Sequence, residues 1–362
     1  MIKKIRYMIF PALLAGVLGS LAEPTRDKRA TKQLKPMAIR IPRQGELPSF
    51  SGATLWLNSQ PLQPADLRGK VVLVEFWTYT CINWRRTLPY VRAWAEKYKD
   101  QGLVVIGVHT PEFTFERNTD NVRWAIKDMN IGFPVAMDNN YAIWRAFDNQ
   151  YWPALYFVDA KGAIRHHQFG EGNYEQSERV IQQLLAEAGM KGVSDMAAKV
   201  EPEGPEVAAD WGHLGSGENY LGYERTSNFA SPGGAVENRR QNYTGPGRLR
   251  LNEWALSGNW TMGPEANVLN VANGRIIYRF HARDVNLIMG PAPRIGQMRF
   301  RITIDGKEPG ESHGTDIDGQ GNGVVNGQRM YQLIRQQGPI VDREIAVEFL
   351  DPGVEVFDFT FG

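Results

Sequence analysis

The chain has 362 residues and a mass of 40.8 kDa, more than one hydrophobic core usually holds, so two domains with flanking segments are expected. At 42% apolar, 11% aromatic and 22% charged, it is neither a disordered nor a collagen-like chain. The net charge of +1 conceals a basic N-terminus: residues 1–44 carry +8, whereas 45–190 and 211–362 each carry −2 and 191–210 carry −3, so neither body is built to hold nucleic acid.

At the N-terminus, Lys3, Lys4 and Arg6 precede an apolar stretch from Met8 to Leu21 that ends in Ser20-Leu21-Ala22. This is the layout of a secretory signal, residues 1–22, with cleavage expected after Ala22 and a retained anchor as the second choice. The mature chain is therefore expected in the periplasm or outside the cell. Residues 23–44 read as a solvated basic tether.

In 45–190, strands and helices alternate. Val71–Phe76 and Leu103–Val108 are β-branched runs of buried central strands, and between them Leu88–Tyr98 carries helical spacing. A helix is expected around Val122–Met129, a strand at Phe133–Met137 and a short helix at Tyr141–Phe147. A hairpin of Ala154–Val158 and Ala163–Phe169 follows, and a helix over Tyr174–Ala188 closes the unit. The pattern is an α/β three-layer sandwich.

Phe76-Trp77-Thr78-Tyr79-Thr80-Cys81-Ile82-Asn83-Trp84, with Pro89 further along the helix, resembles the active-site strand, loop and first helix of thioredoxin-like proteins, in particular the TlpA/DipZ family. There a Cys-x-x-Cys opens the helix. The resemblance implies that Cys81 is the attacking thiol and that Trp84 stands where the second Cys would be. It further places Glu75 at the family's buried acid, Trp152-Pro153 at its cis-proline, and Thr110–Met137 at its insertion. Trp77, Thr78, Tyr79, Arg85, His109 and Trp152 are expected to form the rim of the site.

Cys81 is the only cysteine, which excludes an intramolecular disulfide and any cysteine-cluster metal site. At a helix N-terminus, followed by Arg85 and Arg86, its thiol is expected to titrate below the ordinary ~8.5. Without a second sulfur, dithiol exchange cannot complete, because that sulfur releases the mixed disulfide. Three readings remain: one-cysteine thiol exchange resolved by an external thiol, a one-cysteine peroxidase, or a scaffold that only binds. For the peroxidase, Thr78 resembles the peroxiredoxin Thr, and Arg123 or Arg145 would have to polarise the peroxide. The expected partners are an extracytoplasmic protein thiol or disulfide and an external reductant or small thiol, with no cofactor or metal.

Residues 191–210, with Glu201-Pro-Glu-Gly-Pro-Glu206, read as a semi-stiff acidic linker. From 211 to 362 short alternating segments follow: Arg248–Leu251, Trp260–Gly263, Arg275–Phe280, Val285–Met289, Met298–Ile304, Arg329–Leu333, Glu344–Phe349 and Val354–Phe361. They predict an all-β jelly-roll-type sandwich, and this part also resembles the C-terminal part of DipZ-like proteins, related in shape to carbohydrate-binding modules. Trp211, Tyr223, Trp254 and Trp260 could offer stacking faces to a glycan or peptide, with at least half of them expected in the core. Asp316–Gly323 begins like a calcium loop but has Gly327 where the bidentate Glu belongs, so a surface turn is expected.

Overall fold

The computed structural model describes residues 41–292 and 296–362; the expected signal sequence and most of the expected basic tether lie outside them. Its first part contains β1 (Gly45–Glu46), β2 (Leu55–Leu57), β3 (Val71–Trp77), α1 (Ile82–Tyr98), β4 (Leu103–His109), α2 (Thr119–Asp128), β5 (Val135–Met137), α3 (Ala142–Ala146), β6 (Ala154–Val158), β7 (Ala163–Phe169) and α4 (Tyr174–Glu187). The strands form one sheet in the order β1-β7-β6-β3-β4-β5-β2, with β3 parallel to β4 and β4 parallel to β5. β3 is buried along its whole length because both faces are covered. Leu73 and Trp77 join α1, α2 and α4 in one core, while Val72, Val74 and Phe76 join Ile143 of α3 in another. This is a thioredoxin-like three-layer arrangement.

The second part is all β. It runs through β8 (Asn219–Tyr220), β9 (Arg240–Tyr243), β10 (Trp254–Met262), β11 (Asn267–Leu269), β12 (Gly274–Phe280), β13 (Asp284–Pro291), β14 (Met298–Ile304), β15 (Asn322–Val325), β16 (Arg329–Arg335), β17 (Arg343–Phe349) and β18 (Val354–Phe361). β10 serves two sheets. Its first half pairs with β12, and its second half, from Gly258, pairs with β9 and then β11. Gly258 turns that corner at φ 97°, in the left-handed region, where a Cβ would also meet the Gly274 backbone at 2.9 Å. Between the sheets lie Trp260, Ile276, Tyr278, Leu287, Phe300, Val347 and Phe359.

Arg248–Leu251, expected as a strand, is not one. Glu253 accepts from the Arg250 backbone N–H and from its Nε, both at 2.7 Å, and Asn252 is left-handed at φ 66°, so the chain turns there. Conversely β8, β9, β11 and β15 are short strands that the pattern did not announce. β9 reads Arg-Gln-Asn-Tyr and exposes three of its four residues, so no apolar alternation marks it.

The two parts share a core. In the pairing of β13 with β18, Ile288 faces Asp358 and Met289 faces Val356, so Phe357 is the extra residue of a β-bulge. Phe357 packs with Ile288 and Met330 in the thioredoxin-like core, its ring 4.7 Å from Phe115 and 5.5 Å from Phe113. Arg40–Gly362 accordingly form one compact unit. The segment 191–210 lies along the first part: both oxygens of Glu206 accept from Arg92 of α1 at 2.8 Å, and the Ala198 N–H donates to Glu178 of α4. Among the described residues no helix is long and apolar enough to cross a membrane.

Candidate active site around Cys81

Cys81 is the N-cap of α1, in extended conformation, and its side chain makes no capping hydrogen bond. It is half-buried. The thiol points toward the Trp152 carbonyl at 3.9 Å, and the Trp152–Pro153 peptide is cis. Sequence positions 71 apart are thus brought to one spot by the placement of α1 after β3 and of the 149–153 loop before β6.

The other expected site residues lie at different depths. Glu75, Trp77, Thr78, Tyr79, Trp84 and His109 are all fully buried, so four of the six expected rim residues, Trp77, Thr78, Tyr79 and His109, lie beneath the surface. The cause is the insertion: Phe113 and Phe115 close over this face of the sheet, with Phe115 edge-on to Tyr79 at 6.2 Å. Trp84 stacks on Trp77 at 4.4 Å, and its Nε1 donates to Glu75 Oε1 at 2.9 Å. A Cβ on Gly107 of β4 would come within 2.7 Å of the Trp77 Nε1, so a glycine is what lets that indole lie flat against the strand.

Beneath Cys81, polar atoms lack partners. Glu75 Oε2, Trp77 Nε1 and both ring nitrogens of His109 make no hydrogen bond. Burial pushes the Glu75 carboxyl up to about 8, against the opposing pull of the Trp84 indole. Burial likewise pushes His109 down to about 3, keeping it neutral between the rings of Trp77 and Tyr79.

The thiol does not behave as its helix position alone predicts. Burial and the Glu112 and Glu218 carboxylates push the Cys81 thiol well up, overriding the Trp84 and Asn83 backbone N–H groups that favour the thiolate. The two following arginines give no help. Arg86 is buried and bound to Glu171 at 3.0 Å and to the Phe361 carbonyl at 3.2 Å, and Arg85 opens into a separate cavity whose lining does not include Cys81.

A second set of polar residues, which the motif did not point to, surrounds the Cys81 loop. Glu116 is fully buried and accepts from Thr80 Oγ1 at 2.6 Å and from the Glu112 and Phe113 backbone N–H groups, which ties the insertion to the residue before Cys81. Burial raises its carboxyl to about 7. Glu112 accepts from Tyr220 at 2.5 Å and pairs with Arg225 at 3.0 Å, both from the all-β part. Asp358 of β18 is buried beside the Glu218 carboxyl, and burial with that neighbouring acid raises its own carboxyl well above the ordinary range. A Glu112–Glu116 pair four residues apart was the one available signal, and only Glu116 lies in the 3-10 turn Thr114–Arg117, with Glu112 in the loop before it.

The remaining candidates are scattered. Arg123 is exposed, and Arg145 donates to the Asn140 carbonyl, so neither is brought to the thiol by any recorded contact. Trp254 and Trp260 are core residues, while Trp211 is 61% exposed. Asp316 is held by Arg329 at 2.7 Å and by the Gln332 N–H, and Asp318 by the Gln320 and Asn322 N–H groups, which uses their oxygens within a turn. Among the described residues no three His, Cys, Asp or Glu are placed to hold a metal ion.

Residues 44–167 match the AhpC/TSA family, and residues 216–362 match the thioredoxin-like C-terminal domain. Protein DipZ of Mycobacterium bovis is 34% identical over 337 residues, which cover 90% of this chain and 44% of that protein, so the chain spans less than half of its relative. The thiol-disulfide oxidoreductase YkuV of Bacillus subtilis is 30% identical over 151 residues, 42% of this chain and 99% of its own. A thioredoxin-like protein solved in solution in its oxidised form is 29% identical, covering 41% of this chain and 99% of its own, with a TM-score of 0.38.

Proposed function

Because the chain belongs to the thioredoxin-like family, with thiol-disulfide oxidoreductases among its relatives, we propose that it carries out one-cysteine thiol exchange at Cys81 outside the cytoplasm. The observation that carries this reading is the position of half-buried Cys81 at the start of α1, its sulfur 3.9 Å from the Trp152 carbonyl. In the forward step the Cys81 thiolate attacks one sulfur of a partner disulfide; a Cys81–partner disulfide forms and the other sulfur leaves as a thiolate. An external thiol then attacks the mixed disulfide, which frees Cys81 and leaves the partner's sulfur joined to that thiol. Trp84 cannot perform this second attack, and its indole occupies Glu75 Oε1.

The extracytoplasmic placement rests on the basic and apolar pattern of residues 1–22. The partner is a protein or small-molecule disulfide of that compartment, and the all-β part holds or orients it.

A second reading is favoured by the raised thiol and the filled position 84: a thioredoxin scaffold that binds an extended peptide or a glycan without turnover. The two separate by mass. The full chain is treated with 5,5′-dithiobis(2-nitrobenzoate) from pH 7 to 10, then with a small thiol. Thiol exchange predicts a single adduct whose formation accelerates with pH and which the thiol reverses; no adduct at pH 10 in the folded protein leaves only the binding reading.

A further inference from the structure

A cavity of about 490 Å³ opens where the two parts meet, between α1, α2 and the loops before β16. Its floor is Arg85, one helical turn after Cys81. Nearly every other arginine near this junction is engaged: Arg86 with Glu171, Arg92 with Glu206, Arg329 with Asp316. The Arg85 guanidinium makes no hydrogen bond or ion pair to any described residue. Burial strips water from it and lowers its pKa, while Asp128, Asp316 and Glu206 attract it only through space. Two of those carboxylates are spent on Arg329 and Arg92. Five N–H donors in a fixed fork thus point into a partly dry space without an acceptor.

One aromatic residue joins the lining. Trp124 of α2, 40% exposed, lines the cavity, as do the Thr315 hydroxyl and the side chains of Asn121 and Gln328. Asn121 donates to Gln328 Oε1 at 3.3 Å and to the Phe115 carbonyl at 3.1 Å, which fixes both amides in place. Arg329 is fixed too, its guanidinium 3.7 Å from the Tyr331 ring. A rigid, concave, mixed surface of this size suits one small organic molecule.

We propose that this cavity binds a small monocarboxylate, with Arg85 gripping the carboxylate in fork geometry and Trp124 covering the apolar body of the ligand. The charge of the lining selects this class. Arg329 is already paired with Asp316, which leaves the Arg85 fork as the one unpaired cation in the lining for a carboxylate to meet, whereas a dianion such as phosphate would carry a second charge toward Asp128 and Asp316. The carboxylate could be borne by a sugar acid or by the C-terminus of a short peptide, and the test separates these sources.

The experiment is titration calorimetry on the full chain with four probes: glucuronate, N-acetyl-alanyl-alanine, and their neutral counterparts glucose and N-acetyl-alanyl-alaninamide. At least one acid is expected to bind at least tenfold more tightly than its neutral counterpart, and which acid does so identifies the source. Arg85→Gln should weaken that acid at least tenfold, and Arg85→Lys should restore part of the loss because it keeps the charge without the fork. Trp124→Ala, at an exposed position that is safe for folding, should weaken the acid severalfold. Equal binding of acid and neutral probe, no binding of either acid at 10 mM, or an affinity unchanged by both Trp124→Ala and the Arg85 variants would overturn the proposal.

Discussion

The buried tryptophans of the two parts are treated differently. In the all-β part, the Trp254 Nε1 donates to the Ser227 carbonyl and the Trp260 Nε1 to the Ser257 carbonyl, each at 2.9 Å. In the thioredoxin-like part, Trp77 and Trp94 have no partner for their indole N–H, and Trp84 finds one only in a carboxyl that burial has made a poor anion. In the same layer, both ring nitrogens of His109 are also unpaired. Each buried group left without a partner costs about 1–3 kcal/mol, so the layer under Cys81 is a destabilised spot inside a well-packed core. Such spots gather at functional sites, whereas the two buried indoles of the sandwich are both satisfied and serve packing.

The largest effect expected from that contrast is at Trp84. Trp84→Ala removes the ring stacked on Trp77 and the donor to Glu75, and should destabilise by about 5 kcal/mol in urea denaturation, the upper end for truncating a buried aromatic. Trp84→Cys should pay part of the same packing loss yet gain catalysis of repeated disulfide reduction. A loss below about 1 kcal/mol for the alanine variant would show that position 84 is not a packed part of this core.

The next effect is on pH dependence. The folded protein holds Glu75 at about 8 against an ordinary value of 4.5, so the folded state binds the proton more tightly than the unfolded chain. The stability this contributes is complete below pH 4.5 and is lost as pH rises through about 8, at about 1.4 kcal/mol per unit within that window. Glu75→Gln, which can still accept from Trp84, should flatten the decline and be the more stable form at pH 8 by about 4 kcal/mol. His109 acts in the opposite sense: held at about 3 against 6.5, it withdraws stability as pH falls from 6.5, so His109→Phe should flatten the acid limb.

Phe357→Ala tests whether the sandwich and the first part stand or fall together. Loss of a buried ring from the bulge should cost about 3 kcal/mol, and it should lower the unfolding of both parts in one transition. Two separated transitions in the wild type would break the picture of a shared core. The smallest effect is at Glu112. Removing its charge with Glu112→Gln should lower the midpoint of Cys81 alkylation; an unchanged midpoint or an upward shift would mean that Glu112 does not press on the thiol.

Much of the architecture was legible because it depends on local periodicity. Ala154–Val158, Ala163–Phe169, Met298–Ile304 and Val354–Phe361 have the bounds their alternation suggests. The strands that escaped notice, such as Arg240–Tyr243, are only two to four residues long, too short to show a period, and their identity comes from their neighbours. At the site, the motif picked out Cys81, Trp84, Glu75 and Pro153, but not what each would face. Helix position argued for an acidic thiol; the opposing burial and the Glu112 and Glu218 carboxylates come from the loop after β4 and from the loop before β8 far along the chain, which no window around Cys81 contains. Arg85 and Arg86, adjacent in sequence, leave the helix in different directions, one into a cavity and one into an ion pair.

The clamp between Arg92 and Glu206 alters what a protease would achieve. Exposed residues such as Lys191, Met196 and Lys199 invite cleavage within 191–203. A nick there severs the backbone but leaves Glu206 on α1, Phe357 on Phe115 and Arg86 on the Phe361 carbonyl. The two fragments would therefore stay together through size-exclusion chromatography and part only in denaturant, so that a nicked sample would pass for intact protein by every native measure and reveal itself only on a denaturing gel.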